Sequence, residues 1–180
     1  MASILHGQHI GLSSSDPFGA STRTLSGVRG LKTSVKYLLG LSSKTKILTA
    51  DNLARRGWPH QASCALCDGP METSQHLCIL CPLAQTVWNQ ILSWENWTLP
   101  QQTHPTNFDC IRDWWEATAK TVHKNQRRDF NGMVIYIMWN LWKERNRRIF
   151  KNKFQSAQQV AERVKEDLVQ YNRAFSSIAF

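Results

Sequence analysis

Four cysteines and one histidine fall within a short stretch: Cys64, Cys67, His76, Cys78 and Cys81. Thiolate sulfur and imidazole nitrogen are the donors that tetrahedral zinc prefers. A C-x2-C pair lets two sulfurs approach one ion from a single tight turn, and Asp68-Gly69-Pro70 places turn-forming residues just past the first pair. A loop this short has little core of its own, so a bound metal would supply most of its folding energy. The competing readings are free cysteines that cluster by chance, or a C-x-x-C redox pair. The second pair and His76 count against both. Two ligand sets fit the spacing. C-x2-C-x8-H-x4-C takes Cys64, Cys67, His76 and Cys81, whereas C-x2-C-x10-C-x2-C takes Cys64, Cys67, Cys78 and Cys81 and leaves His76 beside the metal or in solvent. Spacing does not choose between them; both hold one structural Zn2+.

The rest of the chain must position that cluster. With 180 residues it suits one domain, or one domain and a tail. Apolar residues make up 42%, enough for a core, and eight tryptophans imply either that core or broad aromatic surfaces. There are 22 Lys+Arg against 13 Asp+Glu, a net charge of +9, which favours anionic partners with nucleic acid first among them. An odd total of five cysteines argues against a secreted disulfide framework. A membrane-spanning helix needs roughly 20 apolar residues, and the longest apolar run, Met133 to Trp142, is shorter and interrupted by Asn140. No membrane association is expected.

Nothing in the sequence assembles acid–base chemistry. The one pair of adjacent acids, Glu166-Asp167, sits in an ordinary helical pattern, and Ser13 to Ser15 near His9 and Asp16 lie in a stretch with nothing to hold them in geometry. The expectation is a noncatalytic protein without a small-molecule substrate. His104 and His123 read as surface residues and Cys110 as a buried structural thiol.

The pattern is mainly α: a small zinc knuckle or hairpin flanked by helices, then a C-terminal helical segment. Residues 1–43 form a basic, Ser- and Gly-rich arm. Up to position 47 the chain carries Arg23, Arg29, Lys32, Lys36, Lys44 and Lys46 against the single acid Asp16. That composition fits a disordered arm or an organelle transit segment. The first reading goes with nucleus or cytoplasm, the second with mitochondrion or chloroplast. The zinc-binding domain is assigned to 44–97, a linker to 98–107 and a helical region to 108–180. Thr49 is a good helix N-cap with Asp51 in the first turn and Gly57 as the stop. Pro82 suits the first position of a helix carrying Leu83, Val87, Trp88 and Ile91 on one face. Further helices are predicted over Asp109 to Val122 and Arg127 to about Phe150; the second is apolar all round at its centre and must be buried. Ser156 and Gln159 open a last helix as a capping box, with Val160, Val164, Leu168, Tyr171 and Phe175 as its stripe.

Several of these residues recur together in a known family. The stretch from Leu48 to Leu53, then Arg56-Gly57-Trp58, Cys64 and Cys67, Glu72-Thr73, His76-Leu77, Cys81-Pro82 and Val87-Trp88 appear in that order. Over roughly Lys36 to Trp97 the chain resembles the zinc-binding domain that follows the reverse transcriptase in plant non-LTR (LINE-type) retrotransposons. The resemblance implies that His76 and Cys81 are ligands beside Cys64 and Cys67, and that Cys78 packs as a small hydrophobe. It implies a structural role for Glu72 and Thr73, with Glu72 bonding the metal loop or pairing with Arg55 or Arg56. A looser similarity runs through Trp114-Trp115 and Trp139 to Phe150. Gly40 stands where the family usually has a tryptophan, and no Tyr-x-Asp-Asp motif of a polymerase is present. The chain reads as a retroelement fragment with a new N-terminus, expressed as its own small gene.

The basic run Lys143, Arg145, Arg147, Arg148, Lys151 is the expected nucleic-acid contact, continued by Lys153, with Trp139 and Trp142 near enough to stack on bases. The bland alternative is a solvated helix end whose cations suit the helix dipole, with both tryptophans in the core. A second function class is a protein-interaction module built on the tryptophan-rich helices, with zinc serving only to fold it.

Overall fold

The computed structural model describes residues 48–69, 72–104 and 107–176; the basic arm 1–43 lies outside them. Helix α1 spans Ala50–Arg55, with Thr49 at its N-cap. Gly57 follows at φ +67, the left-handed conformation that glycine adopts without a Cβ penalty. A knuckle leads to a π-helical turn, His76–Leu80, and then α2, Pro82–Trp94, with proline in its first turn as expected. A single 3-10 turn covers Gln101–Thr103. Three helices follow among the described residues: α3, Ile111–Thr121; α4, Arg127–Lys151; and α5, Ala157–Ser176.

The architecture is mainly α, as the sequence pattern implies. The expected hairpin reduces to less than a strand. Ser63 is the bridge residue, and among the described residues no strand forms. The Glu72 amide donates to Ala62 O at 3.2 Å, and the Cys64 amide to Gly69 O at 3.4 Å. The segment is too short to extend that ladder before the π turn begins.

Helix α4 is the hub. Its buried residues Met133, Val134, Ile135, Ile137, Met138 and Leu141 point to successive sides of the helix. Neighbours meet those sides, because α2, α3, α5 and the π turn all pack against it. Burying one such side chain stabilises by about 1.5–3 kcal/mol, which is why a stretch with no polar face is tolerated. Helix α5 lies against both α2 and α4 through Val160, Val164, Leu168 and Tyr171. Its capping box forms: the Ser156 amide donates to Gln159 Oε1 at 2.9 Å and the Gln159 amide to Ser156 Oγ at 3.2 Å. Gly132 sits inside α4 because Tyr171 crosses there; a Cβ at Gly132 would come within 2.7 Å of the Tyr171 ring.

Part of the stretch read as a linker packs against the helices. Thr103 is buried, and its carbonyl accepts the Trp114 indole N–H at 2.9 Å. Trp114 also meets Trp88 of α2 edge to face, with ring centroids 5.3 Å apart. This ties α3 to the helix that follows the knuckle. Cys110, expected to be buried, is half-buried, since it lies just ahead of the first residue of α3. His104 and His123 are exposed.

Candidate metal centre

The knuckle turns on hydrogen bonds to one carbonyl. Cys64 O accepts the Cys67 amide at 3.3 Å and the Asp68 amide at 2.8 Å, and Asp68 takes φ 55 to reverse the chain. Aspartate is among the few residues other than glycine that tolerate this region. The Leu66 amide points at Cys64 Sγ from 3.4 Å. The turn therefore presents two sulfurs on one side and an amide donor to one of them.

The other two donors come from the π turn. Thr73 sets its start, since the His76 amide donates to Thr73 Oγ1 at 3.0 Å and the Leu77 amide to Thr73 O at 2.9 Å. The turn closes with the Cys81 amide on His76 O at 2.7 Å, a bond across five residues. The extra residue in a π turn re-aims side chains, here turning residues five apart toward one point. Cys81 then leaves the helical region at φ −61, ψ 133 and is the N-cap of α2. Its position at a helix N-terminus favours the thiolate.

Together these elements bring the ligand atoms of Cys64, Cys67, His76 and Cys81 within 4.8 Å of one another. Cys67 Sγ and His76 Nε2 are 3.3 Å apart. A tetrahedral zinc with sulfur at about 2.3 Å sets its ligand atoms roughly 3.5–4 Å apart, so three thiols and one imidazole at these separations fit that ion. The neighbouring Cys64 and Cys81 thiols interact so that Cys81 is lowered from the ordinary thiol value, toward the thiolate that binds metal, while Cys64 is raised. Burial holds His76 below the usual imidazole range, in the neutral form that binds metal.

Cys78 does not join the cluster. It is 1% exposed, buried between Leu77 and Ile79, and burial pushes its thiol up to about 12. Its carbonyl accepts the Trp88 indole N–H at 2.8 Å, which fastens the π turn to α2.

The knuckle is also fastened from the far end of the chain. Glu72 is 1% exposed and accepts Arg145 Nε at 3.0 Å and the terminal nitrogen Nη2 at 2.9 Å, as well as the Ala50 amide at 3.3 Å. The expected pairing with Arg55 or Arg56 is therefore corrected. Arg55 pairs with Asp51 at 2.7 Å within α1, and Arg56 lies over the Trp58 ring. Arg148 donates to Ala65 O at 3.3 Å and Leu66 O at 2.9 Å, both inside the Cys64–Cys67 turn.

The basic run read as a nucleic-acid contact is thus mostly turned inward. Arg145 is buried on Glu72. Arg147 and Arg148 both bind Glu144, itself fully buried. Lys143 is 3.6 Å from Asp167 and 5.6 Å from the centre of the Trp139 ring. The physical reason is that two buried carboxylates, Glu72 and Glu144, require cations, and α4 supplies them. Lys151 and Lys153 remain exposed. Trp139 and Trp142 are half-buried and stacked on each other at 5.2 Å. Sequence reasoning passed over Glu144, although its spacing of three and four residues from Arg147 and Arg148 is the pattern of helical ion pairs.

No helix among the described residues is long and apolar enough to cross a membrane. No curated protein and no solved structure matches the chain. The family described as zinc-binding in reverse transcriptase matches residues 25–88, starting upstream of Lys36 and reaching Trp88 of α2. The matched segment carries Cys64, Cys67, His76 and Cys81, and the match and the cluster together point to one zinc ion.

Proposed function

We propose that the chain is a noncatalytic module in which one structural zinc, held by Cys64, Cys67, His76 and Cys81, shapes a surface that binds nucleic acid. The observation that carries the noncatalytic part is the closed donor set. All four positions of a tetrahedral ion are met by protein atoms within 4.8 Å of one another, whereas catalytic zinc keeps a position open for water or substrate. When bound, the ion supplies a crosslink among the Cys64–Cys67 turn, the π turn and the start of α2. The nucleic-acid part is supported by the net charge of +9 and by the family's association with reverse transcription. The compartment proposed is nucleus or cytoplasm, or mitochondrion or chloroplast if the basic arm 1–43 is a transit segment.

The alternative, a protein-interaction module built on tryptophans, draws on fewer of them than the sequence suggests. Trp88, Trp114 and Trp115 are core residues, which leaves Trp58 and Trp94 as the well-exposed ones among the described residues. A salt titration separates the two readings. Retention on immobilised single- and double-stranded nucleic acid should be firm at low salt and fall linearly in log–log form as salt rises. Purification without added metal should give about one zinc per chain by elemental analysis. A folded, metal-free chain defeats the zinc reading; absence of retention at low salt defeats the nucleic-acid reading.

A further inference from the structure

Two phenylalanines bracket the turn after α4, and both stand in water: Phe150 is 67% exposed and Phe154 66%. Two large aromatic rings this exposed, one at each end of a single turn, are a candidate contact surface. Between them lie Lys151, Asn152 and Lys153, all exposed. Lys151 and Lys153 make no ion pair among the described residues, unlike Lys143, Arg145, Arg147 and Arg148 just before them. The favourable field of the helix C-terminus accounts for Lys151, but it gives no reason for the rings.

The turn is held in one shape. Asn152 takes φ 47, ψ 39 and closes α4, with its amide on Arg148 O at 3.2 Å and the Lys153 amide on Arg147 O at 3.5 Å. Phe154 lies over the Arg148 guanidinium, 5.2 Å from the ring centre. That guanidinium is fixed by Glu144 and by the knuckle carbonyls of Ala65 and Leu66. The ring is therefore oriented by a chain of bonds reaching the Cys64–Cys67 turn, while most of its own surface faces solvent. An aromatic platform backed by arginine and flanked by unpaired lysines is the chemistry of base stacking combined with phosphate contact. A protein partner is the poorer match, since lysine is depleted from the centre of protein interfaces.

We propose that Phe150–Phe154 is a single-stranded nucleic-acid site, its rings taking unpaired bases and Lys151 and Lys153 taking phosphates. This rests on the nucleic-acid reading above and gives it a location. Stacking needs bases out of the duplex, so single strands bind better than double strands of equal length. The zinc knuckle contributes by holding Arg148 under Phe154.

The test uses the full zinc-loaded chain and fluorescent oligo-dT and oligo-U, with a duplex of the same length as comparison. Replacing both Phe150→Ala and Phe154→Ala should weaken single-strand binding about ten-fold or more and affect the duplex little. Replacing Lys151→Gln and Lys153→Gln should make the slope of log affinity against log salt shallower by about 1.4 for single strands. Both pairs are exposed, and zinc content with far-UV circular dichroism checks that each variant keeps its fold. If the native chain binds the oligonucleotides and both variants bind as well as it does, this site is wrong while the nucleic-acid reading stands. If the lysine pair matters and the phenylalanine pair does not, stacking is overturned. If the native chain binds none of the probes at low salt, the nucleic-acid reading and this site fall together.

Discussion

The knuckle and the helical platform are held by different physics. The platform, α2 to α5, buries large side chains such as Trp114, Phe130, Ile137 and Leu141, and hydrophobic burial stabilises it. Among its described residues, the knuckle from Ala62 to Glu72 buries little beyond Cys64, Leu66 and one carboxylate. Its order depends on a few amide bonds, the metal ligands, and two arginines reaching over from α4. The contrast teaches that the two regions should fail separately, and that α4 is where they are coupled.

The largest expected effect follows from removing the metal. Structural zinc contributes on the order of 10 kcal/mol in small zinc units, and the knuckle has nothing comparable in reserve. A strong chelator, or Cys64→Ala, should abolish hydrogen-exchange protection in the knuckle while α4 and α5 keep theirs. If the helices lose protection to the same extent, the two regions form one cooperative unit and the contrast is broken.

Next comes the coupling. Arg145→Ala leaves Glu72 buried without its cation, and breaking a buried pair in this way typically costs about 3–5 kcal/mol. Zinc should then be lost to a weaker chelator than the native chain withstands. Pairing Arg145→Met with Glu72→Gln removes both charges and should recover much of the loss. A double variant that is as weak as the single one would show that the ion pair is not what joins α4 to the knuckle.

Leu141→Ala probes the platform alone. Truncating a fully buried leucine costs about 2–5 kcal/mol through lost burial and the cavity left behind. The melting temperature should fall while zinc stoichiometry stays unchanged. Loss of metal in this variant would mean that the platform's packing, and not the local ligands, sets the site.

Much of this was legible in the sequence, for reasons specific to each element. Pro82, the Ser156–Gln159 box and the largely apolar centre of α4 are local signals, and local physics decided them. The ligand spacing was readable because a tight turn and a closed tetrahedron allow few arrangements. Partners across the chain were not readable. Glu72 meets Arg145 across 73 positions, and nothing near Glu72 announces that its cation comes from α4 instead of from Arg55 or Arg56. The same blindness turned the basic run outward on paper. A run of arginines looks solvated until the buried carboxylates facing it are known.

The choice between His76 and Cys78 is the finest form of the comparison, because it asks whether a residue of the π turn belongs to the knuckle or to the platform. The geometry gives His76 to the metal and Cys78 to the core. His76→Ala should therefore release zinc, since an incomplete tetrahedron forfeits much of the metal's contribution. Cys78→Ala removes one small buried group and should cost about 1 kcal/mol, the usual scale of a point change, with zinc retained. Cys78 lies two positions from His76 and could swing in as a substitute ligand once the imidazole is gone. Its thiol is held protonated by burial, so that rescue would require the π turn to unwind and expose it. The combined variant His76→Ala with Cys78→Ala separates the cases. If His76→Ala keeps zinc and the combined variant loses it, Cys78 is a reserve ligand; if Cys78→Ala alone loses zinc while His76→Ala keeps it, the metal is bound by four cysteines and the placement of Cys78 in the core is wrong.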